Sequence, residues 1–296
     1  MKILSLFDGI SCARVGIERA GFTINKYYAS EIDKYAKQIT QKNYPDTIQL
    51  GDVIQLDGSM FSNVDIIIGG SPCQDLSVTN KNRQGLKGNK SILFWEYMRL
   101  LKEVNPCYFI LENVASMPNK DKQIITDELG VQPIMINAAL VSAQNRKRLF
   151  WTNIYGVTLP QDRKLCLYNI IEDTVDDKYY ITEEQNAKLK FFKGSKTFWS
   201  GKKEGAVEYP MSLFRKALTI LTTENGINRS TNVIKDKNGY VRKLTPIECE
   251  RLQGLPDNYT EGVSNTQRYK ALGNAFNVDI IAHIVSFIKR GMRNNG

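Results

Sequence analysis

The first half of the chain alternates short apolar runs with segments of helical spacing. Short apolar runs bounded by Gly, Asn, Asp or Pro are typical of buried strands, whereas apolar positions three and four residues apart are typical of helices. Strands that alternate with helices favour an α/β domain with a mostly parallel sheet. The predicted strands cover residues 3–7, 26–29, 64–68, 108–111, 133–139 and 148–153, and the predicted helices cover residues 13–20, 34–43, 92–104 and 120–129.

This alternation stops about halfway along the chain. Residues 156–240 are richer in Lys, Asn, Thr and Gly and predict a small, loop-rich second domain. Helical patterns return at 246–253 and 274–289, and the second of these is apolar on one face, as expected of a helix that packs on the first domain. We therefore expect a discontinuous large domain, made of residues 1–155 and 241–296, with the second domain between its parts.

The composition disfavours membrane, secreted and metal-binding proteins. No stretch approaches the roughly 18 continuous apolar residues of a membrane span, and Asp8 interrupts the N-terminal apolar run too early for a signal peptide. Scattered cysteines without a CxxC pair indicate neither a disulfide framework nor a zinc site. We expect a cytoplasmic protein, or a nuclear one in a eukaryote, with no membrane and no metal. The cysteines are Cys12, Cys73, Cys107, Cys166 and Cys249.

The positive charge is concentrated in one part of the chain. Lys and Arg number 40 against 31 Asp and Glu, a net charge of +9. Residues 188–243 contain 13 basic and 4 acidic residues, so this window alone carries an excess of 9, and residues 81–90 form a second basic run. A solvated surface is one interpretation. Two basic regions around one candidate site favour the other, a polyanionic partner.

Three predicted strand ends supply groups that suit a nucleoside cofactor. Gly9 follows the first strand and allows close backbone approach to a ligand at the start of a helix. Glu31 follows the second strand, at the distance where doubly wound folds bind ribose hydroxyls, and Asp52 follows a possible third strand. A tight turn without a ligand would also explain Gly9. The chain has no GxxxxGK[ST] motif, which disfavours ATP.

Two further strand ends carry a thiol and a carboxylate. Cys73 lies in the turn GGSPCQDLS after the run VDIII, and Glu112 lies at the end of an apolar strand, in FILEN. Alone, Cys73 suits packing. Together, the two residues suit a nucleophile with an acid/base partner. The single histidine, His283, lies in an apolar helical stretch and is interpreted as a packed or surface residue, so acid/base chemistry must rest mainly on carboxylates or a thiolate.

The segment QNRKRLFW carries two arginines at alternating positions. In a strand, Arg146 and Arg148 would point to the same face. They could bind a substrate there, or form salt bridges at a protein surface.

In order along the chain, these motifs resemble those of the cytosine-C5 DNA methyltransferases. FDGIS resembles that family's cofactor loop, SPCQ its catalytic turn, ENV its glutamate motif and QNRKR its paired-arginine motif. RKLTPIECERLQGLP and ALGNAF resemble its last two conserved blocks. The unmatched stretch, about 155–240, is where the family has its variable target recognition domain. Two positions depart from the pattern: Ser11 replaces a frequent glycine, and GNAF places Phe276 where GNSV is commoner.

The resemblance implies a Rossmann-like, S-adenosylmethionine-dependent methyltransferase domain with a small loop-rich target recognition domain. Cys73 would add to carbon 6 of a flipped-out cytosine, and carbon 5 would then accept the methyl group, leaving S-adenosylhomocysteine. Glu112 would bind ring nitrogen 3, and Arg146 and Arg148 would contact the base, nearby phosphates or the Cys73 loop. The implied cofactor residues are Phe7, Gly9, Ile10, Glu31, Ile32, Asp52, Val53, Pro72, Leu93, Asn274 and Ala275.

The implied partner is double-stranded DNA, recognised at a short specific site. Residues 74–90 would form a lid over the DNA. We expect a monomeric bacterial or phage enzyme of restriction-modification type. A transfer-RNA cytosine-5 methyltransferase and a catalytically silent DNA-binding homologue remain alternatives. The predicted DNA contacts are Gln74, Ser77, Arg83, Lys87, Asn225, Asn228, Arg229 and Asn232.

Overall fold

The computed structural model describes residues 1–70, 92–194, 209–228 and 231–293. The chain divides into two compact units. The first unit comprises Met1–Asn137, Lys147–Pro160 and Phe276–Gly296, and the second comprises Ala138–Arg146 and Gln161–Ala275. Residues 241–275, which we assigned to the catalytic domain, therefore cluster with the second unit, and only 276–296 return to the first.

A seven-stranded sheet forms the centre of the first unit. Its order is β3-β2-β1-β4-β5-β7-β6, and every pairing is parallel except those of β7, which is antiparallel to both β5 and β6. Such a parallel-dominated sheet with one reversed strand near its edge is a Rossmann-like architecture, as predicted. The strands are β1 (Lys2–Leu6), β2 (Lys26–Ser30), β3 (Ile48–Gln49), β4 (Ile66–Gly69), β5 (Tyr108–Val114), β6 (Ile134–Asn137) and β7 (Lys147–Thr152).

Helices cover this sheet because its strands are apolar on both faces. All four residues of β4 are buried, as are four of the five in β1. Strands buried on both faces need helices on each side, which the βα crossovers between parallel strands provide. The helices of the first unit are α1 (Cys12–Arg19), α2 (Lys34–Asn43), α3 (Ile92–Val104), α4 (Asn119–Leu129) and α8 (Val278–Arg293).

Helix α8 returns the chain to the first unit and packs against α1. The contact is close because α1 presents Gly16. A Cβ placed on Gly16 would lie 2.8 Å from Cβ of Ile281 and 3.0 Å from the carbonyl oxygen of Val278. At the edge of this contact, Arg19 forms an ion pair with Asp279 at 2.9 Å.

In its described residues, the second unit contains a short hairpin and three α-helices. Strands β8 (Val233–Lys235) and β9 (Val241–Lys243) pair antiparallel. A capping box begins the second of its helices, since Thr245 and Glu248 each accept from the other's backbone N–H. Glu248 also forms a fully buried ion pair with Arg242 at 2.7 Å. The helices are α5 (Glu183–Gly194), α6 (Pro246–Gln253) and α7 (Asn265–Asn274).

The predicted helix at 274–289 is wrong at its start. Helix α7 ends at Asn274 and α8 begins at Val278. Ala275 is extended, and the side chain of Asn277 accepts from the backbone N–H of Ile280, which fits the start of a new helix. Helices α5 and α7 were not predicted. For α5 the sequence did hold a signal, because Thr182 and Gln185 bind each other's backbone N–H as in a capping box.

Within the described residues, one stretch, Asn265–Ile288, is long and apolar enough to cross a membrane by length and composition. This differs from our expectation that no such stretch exists. In an 18-residue window of this stretch, 61% of the residues are buried inside the protein. The α8 part contributes to the contact with α1. A core helix of a folded protein has the same composition.

Candidate active site

The candidate site lies at the carboxyl edge of the sheet in the first unit. Strands β1, β2, β4 and β5 are parallel, so their carboxyl ends share one edge. Phe7, Glu31 and Gly70 directly follow β1, β2 and β4, and Glu112 lies in β5 two residues before its end at Val114. Three of the predicted site residues, Phe7, Glu31 and Glu112, therefore lie along the same edge.

The turn after β1 has an unusual backbone. Phe7, Gly9 and Ser11 have φ angles of 57°, 63° and 57°. A non-glycine residue in this left-handed region costs about 1–3 kcal/mol. Nothing lies within 4 Å of the position of a Cβ on Gly9, so at Gly9 the backbone is open to a ligand.

The buried carboxyl group of Asp8 stabilises this turn. Asp8 is 4% exposed and accepts hydrogen bonds from the hydroxyls of Ser11 at 2.5 Å and Tyr27 at 2.6 Å. Burial raises the pKa of Asp8 above its ordinary value. The serine that departs from the family pattern thus contributes a hydroxyl to Asp8 and lies 3.1 Å from the hydroxyl of Thr40. Sequence reasoning missed this role of Asp8, although a carboxylate directly after a buried strand was a visible signal.

Glu31 connects the ends of β1 and β2. One carboxylate oxygen accepts from the backbone N–H of Gly9 at 2.8 Å, and the other accepts from Ile32 and Asp33, each at 2.8 Å. Burial raises the pKa of Glu31, and the nearby Asp8 carboxylate raises it further. Two carboxylate oxygens offer about four acceptor sites, so three N–H donors leave capacity for a ligand hydroxyl.

The remaining cofactor candidates of the first unit divide into exposed and buried residues. The side chain of Ile32 is 72% exposed. Asp52 accepts from the backbone N–H of Ile54 and caps a short 3₁₀ helix. The side chains of Ile10 and Val53 are buried in the core. Leu93, on α3, is half-buried and packs against the core cluster that includes Val53.

Glu112 and Arg148 form an ion pair between neighbouring strands. In the antiparallel β5–β7 ladder, Glu112 is opposite Phe150 and Arg148 is opposite Val114. Nε of Arg148 lies 2.7 Å from Oε1 of Glu112, and both side chains are about 15% exposed, at 15% and 14%. The pair fixes one oxygen of the carboxylate.

The other oxygen of Glu112 is next to bare backbone. A Cβ placed on Gly70 would lie 3.0 Å from Oε2 of Glu112 and 2.8 Å from Cε1 of Phe276. A larger residue at position 70 would therefore force the Phe276 ring and the Glu112 carboxylate to shift. Phe276, the second departure from the family pattern, is 8% exposed and fits because Gly70 has no side chain.

Arg146 belongs to the second unit and binds different partners from Arg148. It precedes β7 and is 4% exposed. Its guanidinium donates to the carbonyls of Ile220 at 3.2 Å, Gly273 at 3.1 Å and Ala275 at 2.9 Å. Of the two predicted cofactor residues in this unit, Asn274 ends α7, and Ala275 supplies one of these carbonyls.

The predicted DNA contacts of the second unit differ in burial. Asn225 and Asn228 are half-buried, and their amide groups donate to Thr266 and to the carbonyl of Thr223. Asn232 is fully buried, and its amide binds the backbone of Leu218 and the carboxylate of Glu224. This burial argues against the predicted base contact of Asn232.

Several predicted residues lie outside the described part of the chain: Pro72, Cys73, Gln74, Ser77, Arg83, Lys87 and Arg229. The proposed lid, residues 74–90, lies outside it as well. In the ranges that the structure does describe, no group of three or more His, Cys, Asp or Glu residues could hold a metal ion.

Solved structures with the same fold come from distant relatives. A mutant of DNMT2 from Spodoptera frugiperda superimposes with a TM-score of 0.75 at 19% identity, over 97% of this chain and 99% of that one. The methyltransferase EhMeth of Entamoeba histolytica gives a TM-score of 0.78 at 16% identity, over 99% and 98%. At these identities the similarity establishes the fold.

Sequence comparison goes further. The chain is 31% identical over 303 residues to the Type II methyltransferase M1.ScrFI of Lactococcus lactis subsp. cremoris, covering 95% of this chain and 76% of that protein. It is 28% identical to the Type II methyltransferase M.NlaX of Neisseria lactamica, covering 98% and 97%. The family model described as C-5 cytosine-specific DNA methylase matches residues 1–290. This match includes the sheet edge, the Glu112–Arg148 pair and the C-terminal blocks. The predicted enzyme class is therefore confirmed: the chain belongs to the C-5 cytosine-specific DNA methylase family.

Proposed function

We propose that this protein transfers a methyl group from S-adenosylmethionine to carbon 5 of cytosine in duplex DNA, within a short specific site. The observation that carries the proposal is the Glu112 carboxylate, paired with Arg148 and next to the bare backbone of Gly70. That carboxylate lies on the same sheet edge as the open turn at Gly9. The Type II names of the relatives favour DNA as the substrate.

The turn at Gly9 fits a nucleoside cofactor on its own geometry. Open backbone at Gly9, spare acceptor capacity at Glu31 and the exposed side chain of Ile32 suit a ribose and an aromatic base. Asp52 would bind the adenine amino group. When bound, S-adenosylmethionine supplies an activated methyl group. The further residues proposed to hold it are Phe7, Ile10, Val53, Pro72, Leu93, Asn274 and Ala275.

Cys73 would act as the nucleophile, because carbon 5 of cytosine is itself a poor one. Its thiolate adds to carbon 6, forming a sulfur–carbon bond and moving the electron pair of the 5,6 double bond into the ring. Carbon 5 then carries enamine-like electron density and accepts the methyl group. Loss of the carbon 5 proton to a water base restores the double bond as the sulfur leaves. The net products are 5-methylcytosine, S-adenosylhomocysteine and one proton.

Glu112 would stabilise the ring while it carries this electron density. A carboxyl group within hydrogen-bonding distance of ring nitrogen 3 can donate a proton there and remove the developing negative charge. Arg148 holds one oxygen of Glu112 at 2.7 Å, so it orients the carboxyl group and brings a positive charge toward the base. Arg146, held by the carbonyls of Ile220, Gly273 and Ala275, would contact the base, nearby phosphates or the Cys73 loop.

The target base must leave the duplex to reach these groups. Residues 74–90, including Gln74, Ser77, Arg83 and Lys87, would close over the DNA and fill the gap. Lysines and arginines of the second unit would bind phosphates, and Asn225, Asn228 and Arg229 are proposed for contacts to bases. The enzyme would act as a monomer in the cytoplasm of a bacterium or a phage-infected cell, as part of a restriction-modification system.

The test is a methyl-transfer assay on duplex DNA and, in parallel, on transfer RNA. Purified protein is incubated with tritium-labelled S-adenosylmethionine, and modified cytosines are mapped by bisulfite sequencing. We expect label at carbon 5 within one recurring short DNA context. Label in transfer RNA alone would contradict the proposal and favour the RNA enzyme.

Cys73→Ser is the matched variant for this assay. It keeps the size of the side chain but replaces a thiolate with a far weaker nucleophile. We expect it to abolish methylation and to leave the affinity for S-adenosylmethionine nearly unchanged. If the wild-type protein binds cofactor and DNA without turnover, it is a silent homologue and the proposed activity is wrong.

A further inference from the structure

A single extended segment of the second unit, residues 217–220, binds Arg146 and its neighbours on one side. Asn145 donates its backbone N–H to Ala217 at 2.9 Å, and Ala217 donates to Ala143 at 2.7 Å. The hydroxyl of Thr219 donates to the carbonyl of Asn145 at 2.5 Å. These bonds fix the backbone immediately before Arg146.

Gln144 adds a side-chain contact to the same segment. It is fully buried, and its Oε1 accepts from the backbone N–H of Ile220 at 2.9 Å. Its Nε2 lies 3.3 Å from the carbonyl of Leu252. The carbonyl of Ile220 in turn accepts from Arg146 at 3.2 Å. Gln144 and Arg146 therefore bind the two backbone groups of one residue.

The next residue of the segment is bound from elsewhere in the unit. Leu218 donates its N–H to Oδ1 of Asn232 at 2.8 Å, and its carbonyl lies 3.4 Å from Nδ2 of Asn232. In an extended chain, the backbone groups of adjacent residues point to opposite edges. The backbone groups of Ala217 thus point to the backbone around Gln144, and those of Leu218 point the opposite way, to Asn232.

Asn232 also holds the turn formed by residues 224–228. Its backbone N–H donates to Oε1 of Glu224 at 2.6 Å, and its Nδ2 donates to the same oxygen at 3.0 Å. Glu224 is the first residue of the stretch 224–228, which carries Asn225 and Asn228, two of the proposed DNA contacts. Hydrogen bonds therefore link this turn to Asn232 and Asn232 to Leu218, and the backbone of segment 217–220 continues to Ile220, which both Gln144 and Arg146 bind.

We propose that Gln144 and Asn232 are positioning residues that couple the 224–228 turn to Arg146 through segment 217–220. This coupling rests on the proposed function. It makes the position of Arg146 depend on the contacts that the turn forms with DNA. Correct DNA contact at the turn then favours methyl transfer, and a wrong base pair weakens it at the chemical step as well as in binding. The two side chains touch neither the base nor the cofactor in this role.

The test compares the recognised duplex with one changed by a single base pair. Single-turnover methyl-transfer rates and duplex affinities are measured for wild type, Gln144→Ala, Asn232→Ala and the double variant. We expect each single variant to lower the rate about tenfold, within the roughly 2- to 30-fold range of coupling effects, with duplex affinity within about threefold. Since both act through one segment, the double variant is expected to be no slower than the slower single variant.

Two further variants separate coupling from loss of folding. Thr219→Val keeps the shape and removes only the hydroxyl bond to Asn145, and it should lower the rate about threefold, at the small end of coupling effects. Asn153→Ala is the control. Asn153 binds a backbone N–H, at Phe109, and a carbonyl, at Cys107, as Asn232 does, but in the first unit. It should leave the rate and the discrimination between duplexes unchanged.

Three results would overturn the coupling. The first is multiplication of the two single-variant losses in the double variant. The second is an Asn232→Ala variant that discriminates between the recognised duplex and the changed duplex as well as the wild type does. The third is a full wild-type rate of methyl transfer in a folded Gln144→Ala or Thr219→Val variant. Wild-type methylation of the duplex in the same experiment shows whether only the coupling has failed. If the wild type methylates no duplex, the proposed function fails and the coupling fails with it.

Discussion

At the scale of single residues, Glu112 is the group whose removal gives the sharpest test of mechanism. Glu112→Gln keeps the shape but cannot give a proton to ring nitrogen 3 and weakens the bond to Arg148. We expect turnover to fall by about 10²- to 10⁴-fold, the usual contribution of a general acid or base, while duplex affinity changes by less than about threefold, because the side chain acts mainly on the developing charge.

The control for that experiment is Glu128→Gln, the same chemical change on α4. Glu128 lies 3.8 Å from Lys102 at the surface, and exposed pairs of this kind contribute about 0–1 kcal/mol. It should leave turnover unchanged. Loss of duplex affinity in Glu112→Gln equal to its loss of turnover would mean that Glu112 is a structural residue.

The raised pKa of Glu31 leads us to expect that cofactor binding depends on pH. Burial raises the pKa of Glu31 above its ordinary value of 4.5, and the Asp8 carboxylate raises it further. Only the ionised group accepts on both oxygens, so as pH falls through the raised pKa, affinity for S-adenosylmethionine should fall. Calorimetric titration from about pH 8 down to about pH 4.5 measures this, within the range where carboxylates with raised pKa values titrate.

The same group affects stability in the opposite direction. Because the folded state binds the Glu31 proton more tightly than the unfolded state, its contribution to stability is largest below pH 4.5 and is lost as pH rises through the folded pKa. Glu31→Gln should remove the part of both dependences that comes from Glu31. Asp8, whose pKa burial also raises, would continue to titrate in that variant. An unchanged pH profile of cofactor affinity in Glu31→Gln would contradict the role of Glu31.

At the scale of elements, the α1–α8 contact depends on the missing side chain of Gly16. Alanine normally stabilises a helix by about 1 kcal/mol relative to glycine. Here the new Cβ would lie 2.8 Å from Cβ of Ile281, and overpacking costs about 1–3 kcal/mol. We expect Gly16→Ala to lower the free energy of unfolding, measured by urea denaturation.

Gly226→Ala is the matched control for that substitution. The nearest atom to its Cβ would be the carbonyl oxygen of Thr223 at 3.4 Å, an ordinary contact. Its free energy of unfolding should change by less than about 0.5 kcal/mol, as for most surface substitutions. A stabilised Gly16→Ala would show that α8 moves away from α1 at little cost.

The elements could be predicted where the chain repeats one local pattern. Helices α2, α3 and α6 have the bounds that their apolar spacing indicated, and the six predicted strands lie within two or three residues of those observed. The break at 275–277 could not be predicted, because it depends on packing of Phe276 against Gly70, a contact distant in sequence. The antiparallel direction of β7 likewise depends on pairing with two distant strands.

The residue types of the candidate site could be predicted from the sequence, but many of their contacts could not. Glu31 follows a buried strand and Glu112 lies near the end of another, and the parallel sheet brings those ends to one edge. The spacing of Arg146 and Arg148 suggested a shared face. Their partners differ because β7 begins at Lys147, so that Arg146 remains with the second unit while Arg148 pairs with Glu112. Only the tertiary fold decides such assignments.

At the scale of the whole molecule, the charge predicts a salt-dependent affinity for DNA. The net charge is +9, with the excess in residues 188–243. Each neutralised phosphate releases counterions, so about six contacts would lower duplex affinity about 10³-fold between about 50 and 200 mM salt. Filter binding or anisotropy across that range measures the slope. Affinity for S-adenosylmethionine serves as the internal control and should change little, and a flat slope for DNA would contradict a phosphate-bound interface.

The first unit is closed by a helix from the far end of the chain, and this has a consequence for its biosynthesis. Residues 1–137 emerge from the ribosome long before α8, yet Gly16 and Ile281 must meet for α1 to be covered. The face of α1 that α8 covers therefore stays exposed while the second unit is translated. Nascent chains stalled before α8 should bind a holdase chaperone and be cut readily by protease, whereas synthesis and release of α8 should protect the N-terminal segment.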